Sequence, residues 1–251
     1  RKNPRPIIFE ARTFRMRGHE EASGTKYVPQ QLFDEWGKKD PIANYENYLL
    51  ESKIISTAQV ESIRTKIKTE IEEHLKISYA ESDPEVNTVI ELRDMYAPSY
   101  DTNITASVAV TEKRFLDAIT DGLRQGMQRH KNLVIMGQDI AEYGGVFKAT
   151  QGFVEEFGKS RVRNTPITES SILGASLGLS INGYKSIVEM QFADFVTCGF
   201  NQIVNNLAKT HYRWGQNADV VVRMPTGAAV GAGPFHSQST EAWFFHVPGL
   251  K

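Results

Sequence analysis

Four short stretches hold the residues that could do acid–base chemistry. In residues 164–178, NTPITESSILGASLG, a single carboxylate, Glu169, heads a segment of small and apolar residues. A charged acid in such company is costly to desolvate unless something pairs with it. On position alone it reads as an acid at a helix start, stabilised by the helix dipole. Further on, EMQFADF (residues 189–195) carries Gln191 between two apolar residues, with Phe192 and Phe195 behind it. Phe192 reads as a core aromatic. Phe195 reads equally as core or as the wall of a site. PFHSQSTEAWFFHVPGLK (residues 234–251) carries His236 after the glycine-rich run GAAVGAGP. Its imidazole titrates near neutral pH and could pass a proton there. Near the start, EARTFRMRGHEEASGTKY (residues 10–27) carries Arg15 and His19.

The elements that must position these residues can be read from periodicity. Residues 7–14 alternate apolar and polar and predict a strand. QQLFDEWGKK and NYENYLLESK predict two short helices, separated by the breaker Asp40-Pro41. Ser56 and Gln59 form a capping-box pattern ahead of Val60, Ile63, Ile67, Ile71 and Leu75, a long amphipathic helix that serves packing. APSYDTNITAS, around residues 98–107, loses all periodicity and reads as a linker. Beyond it the pattern changes. A helix over 111–129 shows Phe115, Ile119, Leu123 and Met127 on one face. The strand LVIMG follows, then the small-residue helix after Glu169, a strand over 186–192, a helix over 195–213 and the strand DVVVRM. Alternating strands and helices predict an α/β fold, an open parallel sheet with flanking helices. Ligands in such sheets bind outside the carboxyl ends of the strands, where Asp139, Gln191 and the loop after Arg223 would lie.

Composition narrows the function classes. The 251 residues carry a net charge of −1 and 24% charged residues, which gives no basic surface for nucleic acid. The single cysteine, Cys198 in FVTCGF, allows no internal disulfide and fits a reducing cytoplasmic setting. It reads as a small buried hydrophobe. No apolar stretch reaches the roughly 20 residues that span a bilayer. Both ends are abrupt, and the chain reads as an internal piece of a longer polypeptide.

Taken together, TPITE with its small-residue helix, EMQFADF and HSQSTEAWFFHVPGLK resemble the β subunits of thiamine-diphosphate-dependent 2-oxoacid dehydrogenases, the E1 components of the pyruvate and branched-chain complexes. The resemblance implies a pyrimidine-binding domain in which Glu169 hydrogen-bonds N1′ of the cofactor's aminopyrimidine and favours its imino tautomer. Ile167 matches an apolar position that contacts the pyrimidine. Gln191 matches a polar contact to it, and Phe195 an aromatic that packs on the ring; many relatives have Tyr at that position. His236 matches a catalytic histidine that moves protons and closes the substrate pocket, while His246 is structural. The segment EARTFRMRGHEEASGTKY resembles the α-subunit pattern EAxTYRxxGHS, and DPIxxYxxYL resembles the α-subunit tail. His19 then matches a histidine over the cofactor that takes part in acyl transfer to lipoamide, and Arg15 a cofactor neighbour. Glu20 and Glu21 stand where relatives carry Ser or His, and Ser23 is displaced from the phosphorylated position, so kinase control of this loop is doubtful.

The resemblance therefore divides the chain into an α-like, diphosphate-domain part over residues 1–97, a linker over 98–107 and a β-like pyrimidine domain over 108–251, as in a fused α–β E1. It implies oxidative decarboxylation of a 2-oxo acid, a branched-chain one being favoured over pyruvate or acetoin, with acyl transfer to the lipoyl domain of an E2 acyltransferase. The implied assembly is a homodimer or an α2β2-like one, docked on the E2 core. The family binds Mg2+ and the diphosphate through a GDG motif that this sequence lacks. The piece alone is therefore expected to be inactive. Two other readings stand beside it: a related thiamine enzyme such as a transketolase, and a non-catalytic scaffold that keeps the sheet.

Overall fold

In the computed structural model, residues 5, 7–20, 22, 24–98 and 110–251 are described. The chain divides into two compact units, Arg1–Glu85 and Val86–Lys251. Most of the linker expected over 98–107 lies outside the described residues, as do Glu21 and Ser23.

The first unit is helical: α1 (Gln30–Gly37), α2 (Pro41–Glu51) and α3 (Thr57–Ala80). The Asp40-Pro41 pair starts α2 as well as separating it from α1. The Asp40 carboxylate accepts from the backbone N–H groups of Ile42 and Ala43, at 2.8 and 2.9 Å, and Pro41 takes the first helical position, where no N–H is needed. The capping box of α3 is present, with the Ser56 N–H donating to Gln59 Oε1 at 2.8 Å and the Gln59 N–H to Ser56 Oγ at 3.3 Å. The strand expected over residues 7–14 does not form. Among the described residues no other strand pairs with it, and an extended segment without a ladder partner has nothing to hold it as sheet. Ile8 is fully exposed, and only Phe14 is anchored, against Phe33 and Trp36 at ring-centre distances of 5.5 and 6.0 Å.

The second unit contains the sheet. Strands β1 (Leu133–Gly137), β2 (Val162–Asn164), β3 (Lys185–Glu189) and β4 (Val220–Arg223) pair in parallel in the order β2-β1-β3-β4. Helices α4 (Thr88–Asp94), α5 (Phe115–Arg129), α6 (Phe153–Phe157), α7 (Glu169–Ile181) and α8 (Thr210–Trp214) complete the regular helices of this unit. Side chains of β1 alternate between two apolar cores. Leu133 and Ile135 join Met127, Phe153 and Val162 on one face. Met136 joins Leu173, Val188, Val196 and Ile203 on the other. Two covered faces on a parallel sheet make this an α/β fold.

Several expectations for this unit need correction. Helix α5 begins at Phe115 rather than Thr111; its first turn is closed by Arg114 pairing with Asp117 at 2.8 Å, and Phe115 itself is exposed. Strand β3 ends at Glu189, because its partner β4 ends opposite it at Arg223. The single helix expected over 195–213 is three: a 3-10 helix at Ala193–Gly199, a π-helical turn at Gln202–Leu207, and α8. The three-residue period of the first turns Val196 and Gly199 inward and leaves Thr197 and Cys198 outside. Cys198 is therefore exposed, not buried. Phe192 is half-buried and belongs to neither core.

Candidate functional site

The connections of β1 and β3 leave the sheet in opposite directions, toward β2 and β4 respectively. The crevice outside the carboxyl ends of these two adjacent strands is where an open parallel sheet offers a ligand site. Four polar side chains meet along this edge. Gln138, the residue after β1, donates from Nε2 to Glu169 Oε1 at 3.1 Å. Its neighbour Asp139 accepts from Gln191 Nε2 at 3.2 Å, across the β1–β3 boundary. Asp139 takes the left-handed backbone region, φ 56°, which favours glycine; the Gly145 N–H donates to its carbonyl at 2.9 Å.

Glu169 opens α7, where the helix dipole favours its charge. One carboxylate oxygen is held by Gln138, and no hydrogen bond among the described residues engages the other. Ile167, two residues before it, is 80% exposed despite being apolar. The small residues of α7 allow close packing around this turn. Gly174 faces Gln202, whose amide lies 3.8 Å from where a Cβ would stand. A Cβ on Gly199 would collide with Leu173 Cδ1 and come within 3.4 Å of the Glu169 carbonyl.

Past Gln191 the edge becomes aromatic. Phe192, Phe195 and His236 form a triangle of edge-to-face contacts, with ring centres 5.1 to 5.8 Å apart. Phe147 closes on Phe192 at 5.9 Å. The loop that carries His236 is tied down by Gln238. The Gln238 N–H donates to Asp194 Oδ1 at 3.2 Å, and its carbonyl accepts from Thr226 Oγ1 at 2.8 Å and from the Gly227 N–H at 3.2 Å. Asp194 is buried, and its Oδ2 has no partner.

Beside this crevice lies an ion pair between Glu189, at the end of β3, and Arg223, at the end of β4. Glu189 is 3% exposed, and burial pushes its carboxyl above the ordinary value while Arg223 pulls it down. The loop after β1 passes over this pair, and a Cβ on Gly145 would stand 3.1 Å from Glu189 Oε1.

Of the residues singled out from the sequence, Glu169, Gln191, Phe195 and His236 thus share one edge, with Ile167 at its margin. Gln191 engages Asp139, and Phe195 sits against His236. His19 and Arg15 belong to the first unit, where both are exposed. The loop after Gly18 is tight enough to need glycine, since a Cβ there would strike the Gly24 carbonyl. Among the described residues no group of three or more His, Cys, Asp or Glu side chains could hold a metal ion. No described helix is long and apolar enough to cross a membrane. Sequence reading missed Gln138, Asp194 and the Glu189–Arg223 pair. Gln138 was marked only by following a strand; the other three lie in or beside quoted motifs, where apolar neighbours hid them.

Comparison with known proteins gives two family matches. The family described as transketolase, pyrimidine binding domain, matches residues 112–251. The family described as dehydrogenase E1 component matches residues 1–87. Among curated proteins, the 2-oxoisovalerate dehydrogenase subunit beta of Bacillus subtilis (strain 168) is 43% identical over 139 residues, 55% of this chain and 42% of that protein. The pyruvate dehydrogenase E1 component subunit beta of Leifsonia xyli subsp. xyli is 41% identical over 136 residues, 53% of this chain and 40% of that protein. A pyruvate dehydrogenase E1 component subunit beta from Rhizobium meliloti (strain 1021) is 38% identical over 153 residues, 60% of this chain and 33% of that protein. The chain spans about two fifths of the length of the first two relatives.

Proposed function

We propose that this chain, which belongs to the transketolase pyrimidine-binding domain family, holds the aminopyrimidine end of thiamine diphosphate in an E1-type 2-oxoacid dehydrogenase. The observation that carries the proposal is Glu169: an acid at the carboxyl edge of the sheet, with one oxygen fixed by Gln138 and the other unengaged. These residues fit an aminopyrimidine. The open oxygen offers an acceptor to a protonated ring nitrogen, and exposed Ile167 offers an apolar contact to the ring. When bound, thiamine diphosphate supplies the electron sink that decarboxylation of a 2-oxo acid needs.

The chain's own residues would then act as follows. Glu169 holds a proton on the ring nitrogen, oriented by Gln138. Gln191 presents its amide at the crevice from its hold on Asp139. Phe195 covers the ring, without the hydroxyl that a tyrosine would add. His236, braced by Phe192 and Phe195, moves a proton near the reacting carbonyl and closes the pocket. His19 serves acyl transfer to a lipoyl group, with Arg15 beside the cofactor. The match of residues 1–87 to the dehydrogenase E1 family, ahead of the pyrimidine domain in the same chain, supports an α-like part joined to a β-like part. We place the linker between them at 98–107.

The substrate we favour is a branched-chain 2-oxo acid, with pyruvate or acetoin as the alternative. A relative named for 2-oxoisovalerate and one named for pyruvate are each 42% identical to this chain, so identity does not separate the two. The partner is the lipoyl domain and core of an E2 acyltransferase, the assembly α2β2-like, the setting cytoplasmic. This sequence has no GDG motif to hold the diphosphate and Mg2+, so this chain alone would not decarboxylate. A non-catalytic scaffold is the competing reading.

Calorimetric titration with thiamine diphosphate and Mg2+, on this chain and on Glu169→Ala, tests the proposal. Binding that is lost in the variant is the expected result. Equal binding in both would remove Glu169 from the site. With no binding in either, the same pair is titrated in a longer chain that contains the diphosphate-binding residues, where loss in the variant is again required.

A further inference from the structure

Among the described residues, three other than glycine take the left-handed backbone region: Lys53, Asp139 and Lys148. The second and third lie in the loop after β1. A Cβ is disfavoured in that region, and asparagine and aspartate bear it best. A residue kept there, where glycine would sit more easily, points to a use for its side chain. Lys148 has a local use: its ammonium donates to the Tyr143 carbonyl at 2.8 Å and lies over the Tyr143 ring. Asp139 has a distant one: its carboxylate accepts from Gln191, 52 residues further on.

The backbone turn at Asp139 does not depend on that side chain. The Gly145 N–H donates to the Asp139 carbonyl at 2.9 Å, and the Thr150 hydroxyl donates to the Ile140 carbonyl at 2.6 Å, so the loop closes on main-chain groups. What the side chain adds lies beyond the sheet. Strands β1 and β3 pair as far as Gly137 and Glu189. Asp139 and Gln191 stand two residues further along each chain, where the ladder has stopped. Met190 and Ala193, on either side of Gln191, are tied by their N–H groups to the Arg223 and Pro225 carbonyls. The half-buried Gln191 side chain has no hydrogen bond among the described residues other than the one to Asp139. A carboxylate accepts and does not donate, so that bond fixes which end of the amide is the nitrogen end. The amide oxygen at the other end stays open to a ligand.

We propose that Asp139 is a positioning residue: it holds the Gln191 amide in one orientation, nitrogen to the carboxylate and oxygen to the crevice, in a backbone that would accept glycine more readily. The proposal rests on the pyrimidine-site reading, in which Gln191 is a contact to the bound ring. It adds the residue that decides what that contact offers. With its nitrogen held by Asp139, the amide meets the ring as an acceptor, the same polarity as the open oxygen of Glu169. With the carboxylate gone, the amide turns freely and offers either end. A ring that bears an amino group then loses an acceptor set in place before binding.

Asp139→Asn, Asp139→Gly and Asp139→Ala separate this role from a structural one. Asparagine keeps an acceptor oxygen and tolerates the left-handed backbone; glycine keeps only the backbone; alanine keeps neither. Urea unfolding should place Asp139→Asn and Asp139→Gly near the unaltered chain and Asp139→Ala below it. NMR relaxation of the Gln191 side-chain amide, assigned by its loss in Gln191→Met, needs no cofactor. It should show an ordered amide in the unaltered chain and in Asp139→Asn, and a mobile one in Asp139→Gly and Asp139→Ala. Calorimetric affinity for thiamine diphosphate with Mg2+ should follow the order of the amide: within about twofold for Asp139→Asn, and weaker by about three- to tenfold for Asp139→Gly and Asp139→Ala. An amide as ordered in Asp139→Gly as in the unaltered chain overturns the proposal. So does full affinity in Asp139→Gly. An Asp139→Gly chain as unstable as Asp139→Ala overturns it too, since the side chain would then serve the fold. Equal binding by the unaltered chain and Glu169→Ala refutes the pyrimidine reading instead, and the amide measurement then decides the role of Asp139 by itself.

Discussion

Arg223→Met and Glu189→Gln remove opposite halves of one buried ion pair, and the structure predicts unequal costs. Glu189 is 3% exposed, and its carboxyl is pushed above the ordinary value chiefly by burial, which outweighs the pull of Arg223. A carboxyl whose pKa is raised by folding binds a proton more tightly in the folded chain than in the unfolded one. Its contribution to stability is full below the unfolded value of 4.5 and is lost as pH rises through the folded value. Glu189→Gln therefore removes a charge that is unfavourable to bury, and near pH 8 it should change stability by no more than about 1 kcal/mol. Arg223→Met leaves the carboxylate buried without its cation. Near pH 8 that should cost about 3–5 kcal/mol, or roughly 6–20 °C in Tm for a domain of this size. The deficit of Arg223→Met should shrink as the pH is lowered and the carboxyl takes up a proton. Urea unfolding of both variants at several pH values between about 5 and 8 measures this. Equal losses near pH 8 would refute the reasoning, since they would mean that Arg223 outweighs burial at Glu189. A deficit of Arg223→Met that ignores pH would refute it as well.

Two further outcomes are expected. Gly199→Ala places a methyl against Leu173, which is fully buried, and should cost about 1–3 kcal/mol by overpacking, read by urea unfolding; an unchanged midpoint would mean that the 3-10 helix ending at Gly199 gives way freely. Ser56→Ala removes one half of the capping box on α3 and should cost about 0.5–2 kcal/mol of stability in the first unit, read by thermal loss of helical circular dichroism; no change would mean that Gln59 holds the first turn unaided.

What could be read in advance follows the range of the forces involved. Strand LVIMG, the small-residue helix after Glu169 and the capping box at Ser56 are local patterns, and each forms where periodicity and capping place it. Residues 7–14 have the alternation of a strand, but alternation supplies no ladder partner, and the strand is absent. The run 193–214 has helical composition, yet Gly199 must pass Leu173 without a Cβ, and Asn206 donates to Gln202 Oε1 at 2.5 Å. Neither constraint shows in one-dimensional spacing, so one expected helix becomes three. Cys198 follows from the same cause: a three-residue period turns outward a side chain that composition alone would bury. At the candidate site, the acid and the histidine were legible as residue types in motifs. Gln138 was not, because its importance comes from a contact 31 residues away in sequence.

Four acids lie at or beside the carboxyl edge of this sheet, and their surroundings decide which of them can do chemistry. Asp139 is exposed, with one oxygen on the Gln191 amide and the other open to water. Glu189 is almost wholly buried and is committed to Arg223; its charge has one partner and no access to a ligand. Asp194 is buried behind the loop that it anchors through the Gln238 N–H, and its second oxygen has no partner in a place where no ligand-sized group reaches it without displacing that loop. Glu169 alone combines a fixed oxygen, an unengaged one and partial exposure. Desolvation makes a fully buried carboxylate costly, and bulk water makes a fully exposed one ordinary. A carboxylate held by one amide at a helix start, with an apolar side chain standing open beside it, lies between those limits. A bound ring that covers Ile167 would dry the second oxygen and supply its missing partner in the same step. Of the four acids, that makes Glu169 the one whose partner has to come from outside the chain.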